Sequence, residues 1–279
     1  MRLLSPAQTQ KVAVAIMWSL AAITIGILVF IIGYILVLGL PYVTWSFLTE
    51  APRQMGRSGG ILPMIVATVA VAGLAVLIAG PVGVATAVYL TEYTREGRLT
   101  SFIRFGADCL AGIPSIIFGL FGFVFFTITL GMGLSVLSGA LTLALMVLPT
   151  IIRTAEVAIR AVPYSYREVS YGLGTTRWQM ITKVVLPSAL PGICTGVVLS
   201  VGRSISETAA VMLTAGSAPR MPESMFDSSR TLALHFYILS REGISMTNAY
   251  ATASVLIISI LSLNVIAYWI MNRFMRRVR

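Results

Sequence analysis

The stretch Ser165-Tyr166-Arg167-Glu168-Val169-Ser170-Tyr171-Gly172-Leu173-Gly174-Thr175-Thr176-Arg177-Trp178-Gln179, followed by Met180 to Lys183 and by Val184-Val185-Leu186-Pro187, is a polar, basic island in an apolar chain. Its local physics predicts two short helices facing each other across a glycine. Ser165 and Glu168 have capping-box spacing, and so do Thr176 and Gln179. Gly174 stands between them, where a left-handed helix end favours glycine. Such an ordered loop is either a surface on which another protein docks or an ordinary capped loop in which Glu168 serves its own helix.

The sequence outside this island is membrane-like. Of 279 residues, 57% are hydrophobic and 11% charged, against about 25% charged in a soluble domain. Apolar runs of about 20 residues span a bilayer as helices, because backbone groups in lipid must be satisfied within the segment. Six candidates cover 12–40, 61–90, 105–130, 138–160, 186–215 and 249–272, which predicts an all-α membrane protein with six transmembrane helices. Tyr42 and Trp45 follow the first at interfacial depth. Gly80-Pro81 in the second predicts a kink. In the third, Gly112-Ile113-Pro114-Ser115-Ile116-Ile117-Phe118-Gly119-Leu120-Phe121-Gly122, Pro114 disrupts the helix and the glycines allow close approach.

The net charge of +10 from 20 basic and 10 acidic residues is better explained by orientation than by nucleic acid. With an inside N-terminus and six spans, 14 Lys and Arg fall on the cytoplasmic side and 5 outside, as the positive-inside rule requires. Arg2 and Arg279 are among the 14. The Ser165–Lys183 loop then lies in the cytoplasm, as do both termini, in a multi-pass protein of the cell membrane. The apolar run near the N-terminus is too long for a signal peptide and is read as a retained helix.

Arg203 and Glu207, in Gly202-Arg203-Ser204-Ile205-Ser206-Glu207-Thr208-Ala209-Ala210, are charges inside the fifth span. Twelve residues from Pro191 make about 18 Å of helix, placing Arg203 near mid-membrane. An intramembrane charge marks either a pathway or a paired charge. At i, i+4 the two can touch, in the weaker Arg-before-Glu order. A guanidinium offers an oxyanion a planar fork of donors, and a nearby Glu could take over the Arg as the anion leaves.

Other chemistry lacks support. Cys109 and Cys194 sit in apolar segments and read as small buried hydrophobes. His235 is the only histidine and reads as a surface or packing residue. It lies in a helix, Arg230 to Leu239, that Ser228 or Ser229 could cap. No metal site is expected. No nucleophile–base pair or paired carboxylates suggest an enzyme, so no catalytic residue is assigned. Neither Lys11 nor Lys183 belongs to a phosphate-binding loop, so ATP would be used by another chain and no cofactor bound by this one.

Three motifs resemble a known family. Glu168, Gly174 six residues later and Leu186-Pro187 are similar to the coupling loop of ABC-importer permeases. Val169 and Ser170 replace its alanines, and Val184 its usual isoleucine. The Pro114-Ser115-Ile116…Gly119-Leu120 run resembles phosphate-importer permeases, and so does Arg203-x-x-x-Glu207-Thr208-Ala209. Ser206 and Ala210 depart from that pattern, and between the PstA and PstC types the chain most resembles PstA. The resemblance implies a type I ABC importer permease (MetI-like) fold with a cytoplasmic coupling helix. It implies a first helix and outer segment over 1–60 and a permease core over 61–279, with the coupling loop at 163–187. It also implies a substrate pathway through Arg203, Glu207 and Thr208, and ATPase coupling through Glu168, Gly174, Thr175, Thr176, Arg177 and Trp178. The implied partners are an ATP-binding cassette ATPase dimer, a second permease subunit of the PstC type, an extracytoplasmic phosphate-binding protein, inorganic phosphate and membrane lipid. An importer for sulfate or molybdate, or an autonomous ion-coupled carrier, are the competing possibilities; the carrier would often show internal repeats, and none is evident.

Overall fold

A computed structural model describes residues 6–95 and 97–278; Arg2 and Arg279 of the charge count lie outside the described residues. In chain order the helices are α1 (Pro6–Gly39), α2 (Trp45–Thr49), α3 (Leu62–Val88), α4 (Arg98–Ala111), α5 (Ser115–Gly122), α6 (Val136–Arg160), α7 (Tyr164–Gly172), α8 (Arg177–Met180), α9 (Leu186–Ser206), α10 (Ala209–Thr214), α11 (Leu232–Arg241) and α12 (Met246–Val278). A two-stranded antiparallel hairpin, β1 (Pro52–Arg53) and β2 (Ser58–Gly59), lies between α2 and α3. Three wider π-helical turns continue long helices: Tyr89–Tyr93 after α3, Phe123–Thr129 after α5, and Ile181–Val185 between α8 and α9.

Five helices among the described residues are long and apolar enough to cross a membrane, and a bent pair brings the number to six if it is counted as one span. The chain is therefore a multi-pass helical membrane protein. Two predicted spans change shape. The third, expected over 105–130, is the bent pair: α4, and α5 with its π turn, meet at 101°. Pro114 stands at the break as the residue before α5, since it lacks the N–H that a continuous helix needs. The fifth, expected over 186–215, starts earlier and stops sooner. Its helix runs from Arg177 to Ser206, Glu207 is extended (φ −72°, ψ 133°), and α10 follows as a separate turn-and-a-half. In contrast, α3 passes through Gly80-Pro81 without a break in its helix.

The core is α3 packed on α6. Val71, Ala75 and Ala79 meet Leu143, Met146, Val147 and Ile151, with Phe118 of α5 and Ala210 and Val211 of α10 completing that half. Ala155 and Ile159 continue it with Met180, Ile181, Val185, Ala189 and Ile193. Small residues set the spacing. A Cβ on Gly119 would strike the Ala210 backbone, one on Gly122 the Thr142 side chain, and one on Gly196 the Thr154 side chain. In lipid, helices associate by this close packing rather than by a hydrophobic drive. By contrast α1 meets the rest of the described molecule mainly through its last turns, on α12. There Ser254 Oγ donates to the Ile35 carbonyl and Gly39 lies against the Tyr250 backbone.

Smaller expectations also change. Thr231, not Ser228 or Ser229, caps α11, with its Oγ1 accepting from Leu234 N–H. Cys109 is exposed and Cys194 half-buried, so neither is a fully buried hydrophobe. His235 is fully buried, a packing residue that with Leu239 closes on Gly56.

Candidate functional site

At one end of the bundle, α7 and α8 form the expected helix–turn–helix. The Thr176–Gln179 capping box is present in both directions: Gln179 N–H donates to Thr176 Oγ1, and Thr176 N–H to Gln179 Oε1. Gly174 is left-handed (φ +75°) and closes α7 with its N–H on the Tyr171 carbonyl. Thr175 completes the closure, donating from N–H and Oγ1 to the Ser170 carbonyl. The Ser165–Glu168 box does not form. Pro163, with its preset φ, starts the helix earlier. Ser165 thus falls two positions past the N-cap, too far inside to cap, and Glu168 is exposed on the helix surface. The loop presents Tyr164, Val169, Leu173 and Trp178 outward, Leu173 at 79% exposure. Such an apolar, ordered patch on a charged loop has the composition of a docking surface.

Arginines that the sequence reading passed over hold this loop to the membrane helices. Arg167 reaches Glu92, 75 residues away, through Nε (3.1 Å) and Nη2 (2.6 Å), and donates to the carbonyls of Val162 and Ile159. Glu156, buried within α6, is met by Arg104 (2.7 Å), Arg160 (3.1 Å) and Arg153 (3.6 Å). The i, i+3 and i, i+4 spacing of Arg153, Glu156 and Arg160 was legible in the sequence. The Glu92–Arg167 pair carries no local signal.

The second constellation is at the break after α9. Glu207 does not pair with Arg203, because the helix that would stack them ends at Ser206. Its Oε1 turns forward and accepts from the N–H groups of Thr208, Ala209 and Ala210. The carboxylate thus satisfies the donors that open α10, which would otherwise be orphaned away from water. Thr208 is part of this turn. Arg203 is half-buried, and among the described residues no hydrogen bond or ion pair engages its guanidinium. Next to it the Ser204 hydroxyl is buried without a partner.

Depth follows from packing. Gly192 faces Ala158 and Gly196 faces Thr154, so α9 runs antiparallel to α6. Seven residues past Gly196, Arg203 comes level with Val147, about 16 Å from the Val136 end of α6 and about 20 Å from the Arg160 end. Gly122 faces Thr142, which places Ser115, at the start of α5, about level with residue 149. The break at Pro114 and the arginine therefore share the mid-depth of the bundle. The shallow groove between α9 and α12, lined by Val198, Gly202, Ile205, Leu263 and Asn264, includes none of Arg203, Glu207 and Thr208.

Broken spans at mid-depth, an arginine that no acid among the described residues engages and a structured polar loop at one end are the features of this membrane bundle that bear on function. Residues 79–279 match the family described as binding-protein-dependent transport system inner membrane component, and the chain belongs to it. It is 34% identical to a probable ABC transporter permease protein, YqgI of Bacillus subtilis strain 168, covering 94% of this chain and 95% of that one. It is 36% identical to the phosphate transport system permease protein PstA 1 of Mycobacterium tuberculosis H37Rv, over 85% of this chain and 77% of that one. Among solved structures it is similar in fold to the MetNI methionine ABC transporter in inward-facing form (TM-score 0.64, 20% identity, 77% of this chain and 95% of that one). It is also similar to a bacterial alginate ABC transporter (TM-score 0.62, 15% identity, 98% and 94%).

Proposed function

We propose that this chain is a permease subunit of an ATP-driven importer of inorganic phosphate. The observation that carries the substrate is the similarity to phosphate transport permeases over most of the chain. The physics of the site supports it. A guanidinium at mid-depth, with no carboxylate on it, is a costly charge that an entering oxyanion would stabilise. Because Glu207 is committed to backbone donors, Arg203 is available to the anion without competition.

In this reading both termini and the α7–α8 loop face the cytoplasm, where Glu168, Thr176, Arg177 and Trp178 meet an ATPase dimer that hydrolyses ATP on a separate chain. A second, homologous permease subunit completes the pathway, and an extracytoplasmic binding protein delivers phosphate from the α11 side. The test is oxyanion uptake by the purified complex in proteoliposomes, with phosphate, sulfate and molybdate in competition. ATP-dependent uptake competed by phosphate alone is expected. Preferential competition by sulfate or molybdate would reassign the substrate, and uptake by the isolated chain without ATP would replace the importer with a carrier. Arg203→Ala should abolish uptake in a complex that still assembles; undiminished uptake would remove Arg203 from the pathway.

A further inference from the structure

We propose that Glu92 and Arg167 form the joint through which the α7–α8 loop moves the membrane helices; this rests on the importer reading above. Arg167 ties α7 to two spanning helices at once. Its Nε and Nη2 grip the Glu92 carboxylate at the end of α3, while Nη1 and Nη2 donate to Val162 (2.9 Å) and Ile159 (3.1 Å) at the end of α6. Ile159 lies in the last turn of α6 and Val162 just beyond its end, so α6 is held by backbone groups and α3 by a charge.

The pair is shielded, with side-chain exposures of 12% for Arg167 and 7% for Glu92, so solvent weakens it less than a surface ion pair. A bidentate fork fixes angle as well as distance. An apolar contact could slide under load; this one transmits a push and a twist.

A second contact repeats the arrangement from the other arm of the loop. Arg177, at the start of α8, lies 5.6 Å over the Tyr93 ring. The π turn Tyr89–Tyr93 is therefore held by one arginine from each short helix. From there the connection continues. Arg104 Nη2 donates to the Leu90 carbonyl and its Nε stands 2.7 Å from Glu156. That links the end of α3 to α4, whose far end is the 101° bend into α5. Displacement of α7 is thus delivered to α3 and α6 directly and to α4 one step later.

The experiment measures phosphate taken up per ATP hydrolysed by the purified complex in proteoliposomes, for the unaltered chain, Glu92→Gln, Arg167→Lys and the double variant. Glu92→Gln keeps the shape and an acceptor but not the charge; Arg167→Lys keeps the charge but not the fork. Each single variant is expected to lower the ratio about tenfold, the scale of one lost charged hydrogen-bonded contact. The double variant should fall no further, because both changes break one joint. A purely structural role would lower complex yield, uptake and hydrolysis together and leave the ratio unchanged, which would overturn the proposal. Multiplying losses in the double variant would do the same. If the charge variants do not assemble, Tyr93→Leu decides: a lowered ratio supports the joint and an unchanged one rejects it. Absence of ATP-driven uptake by the unaltered complex would reject the importer reading itself, and this proposal with it.

Discussion

Arg203 and Glu207 stand four residues apart and do different work. Both were visible in the sequence as charges in an apolar run, and their spacing read as a pair. The break between them was not visible, since nothing in Ser204–Ala210 forbids a helix. A glutamate can fold onto following N–H groups as readily as reach back one turn, and the three N–H bonds to its Oε1 show that it folds forward. If the carboxylate is a backbone cap, Glu207→Ala should destabilise the complex by about 1–3 kcal/mol, the cost of a lost cap and stranded donors. Glu207→Gln retains an acceptor oxygen and should lose much less. Thermal unfolding of the detergent-solubilised complex measures both, and equal losses would show that the three N–H contacts are unimportant.

The elements repeat this division between what spacing reveals and what it hides. The second capping box and Gly174 were legible because both are short-range patterns. The first box fails because Pro163 moves the helix start to Tyr164, its ring presetting φ for the turn into the helix. No atom lies within 4 Å of a Cβ at Gly174, so substitution there is opposed by backbone conformation alone. Gly174→Ala should cost about 1 kcal/mol locally, and Gly174→Asn less, because asparagine visits the left-handed region. The ATPase retained by each purified variant, with its melting temperature, is the check; a loss for Asn as great as for Ala would argue against it. In α11, burial first and the Arg230 charge second push the His235 pKa down from 6.5 to about 3. Arg230 Nη1 lies 3.4 Å from His235 Nδ1, and the Glu242 charge acts on Arg230 in turn. Unfolding therefore takes up a proton between pH 6.5 and about 3 that the folded segment excludes. The contribution of His235 is complete above pH 6.5 and declines as pH falls through that window. Amide exchange over Leu232–Arg241, corrected for intrinsic pH dependence, should show lower protection at pH 5 than at pH 7.5, and His235→Phe should remove the difference. Equal protection in the unaltered chain would contradict the assignment.

For the whole molecule, composition and hydrophobic runs were enough to reach a six-span helical bundle, because chain crossing in lipid leaves few choices. They could not reveal that α1 stands away from the core. It is apolar all round, with Trp18 at 74% exposure, and such a helix reads alike whether buried in protein or in lipid. Gly39→Leu should part α1 from α12 while leaving the α3–α6 core intact. An Ile35→Cys, Ser254→Cys pair should cross-link in the parent and not in the Gly39→Leu background, with melting temperature nearly unchanged; a large fall in melting would place α1 in the core. Finally, one helical rod runs from Arg177 to Ser206 and carries the α7–α8 turn at one end and Arg203 toward the other. The π turn Ile181–Val185 within it holds one residue more than an α turn would. Straightening that turn without changing the chain would rotate Arg203 by about 100° and advance it by about 1.5 Å relative to Trp178. Deleting one residue there would instead yield an ordinary helix with the same faces presented. The azimuth of the arginine is therefore geared to the loop by a residue count, and a single residue inserted into an α-helical part of the rod between Trp178 and Arg203 would change the gear without touching either end.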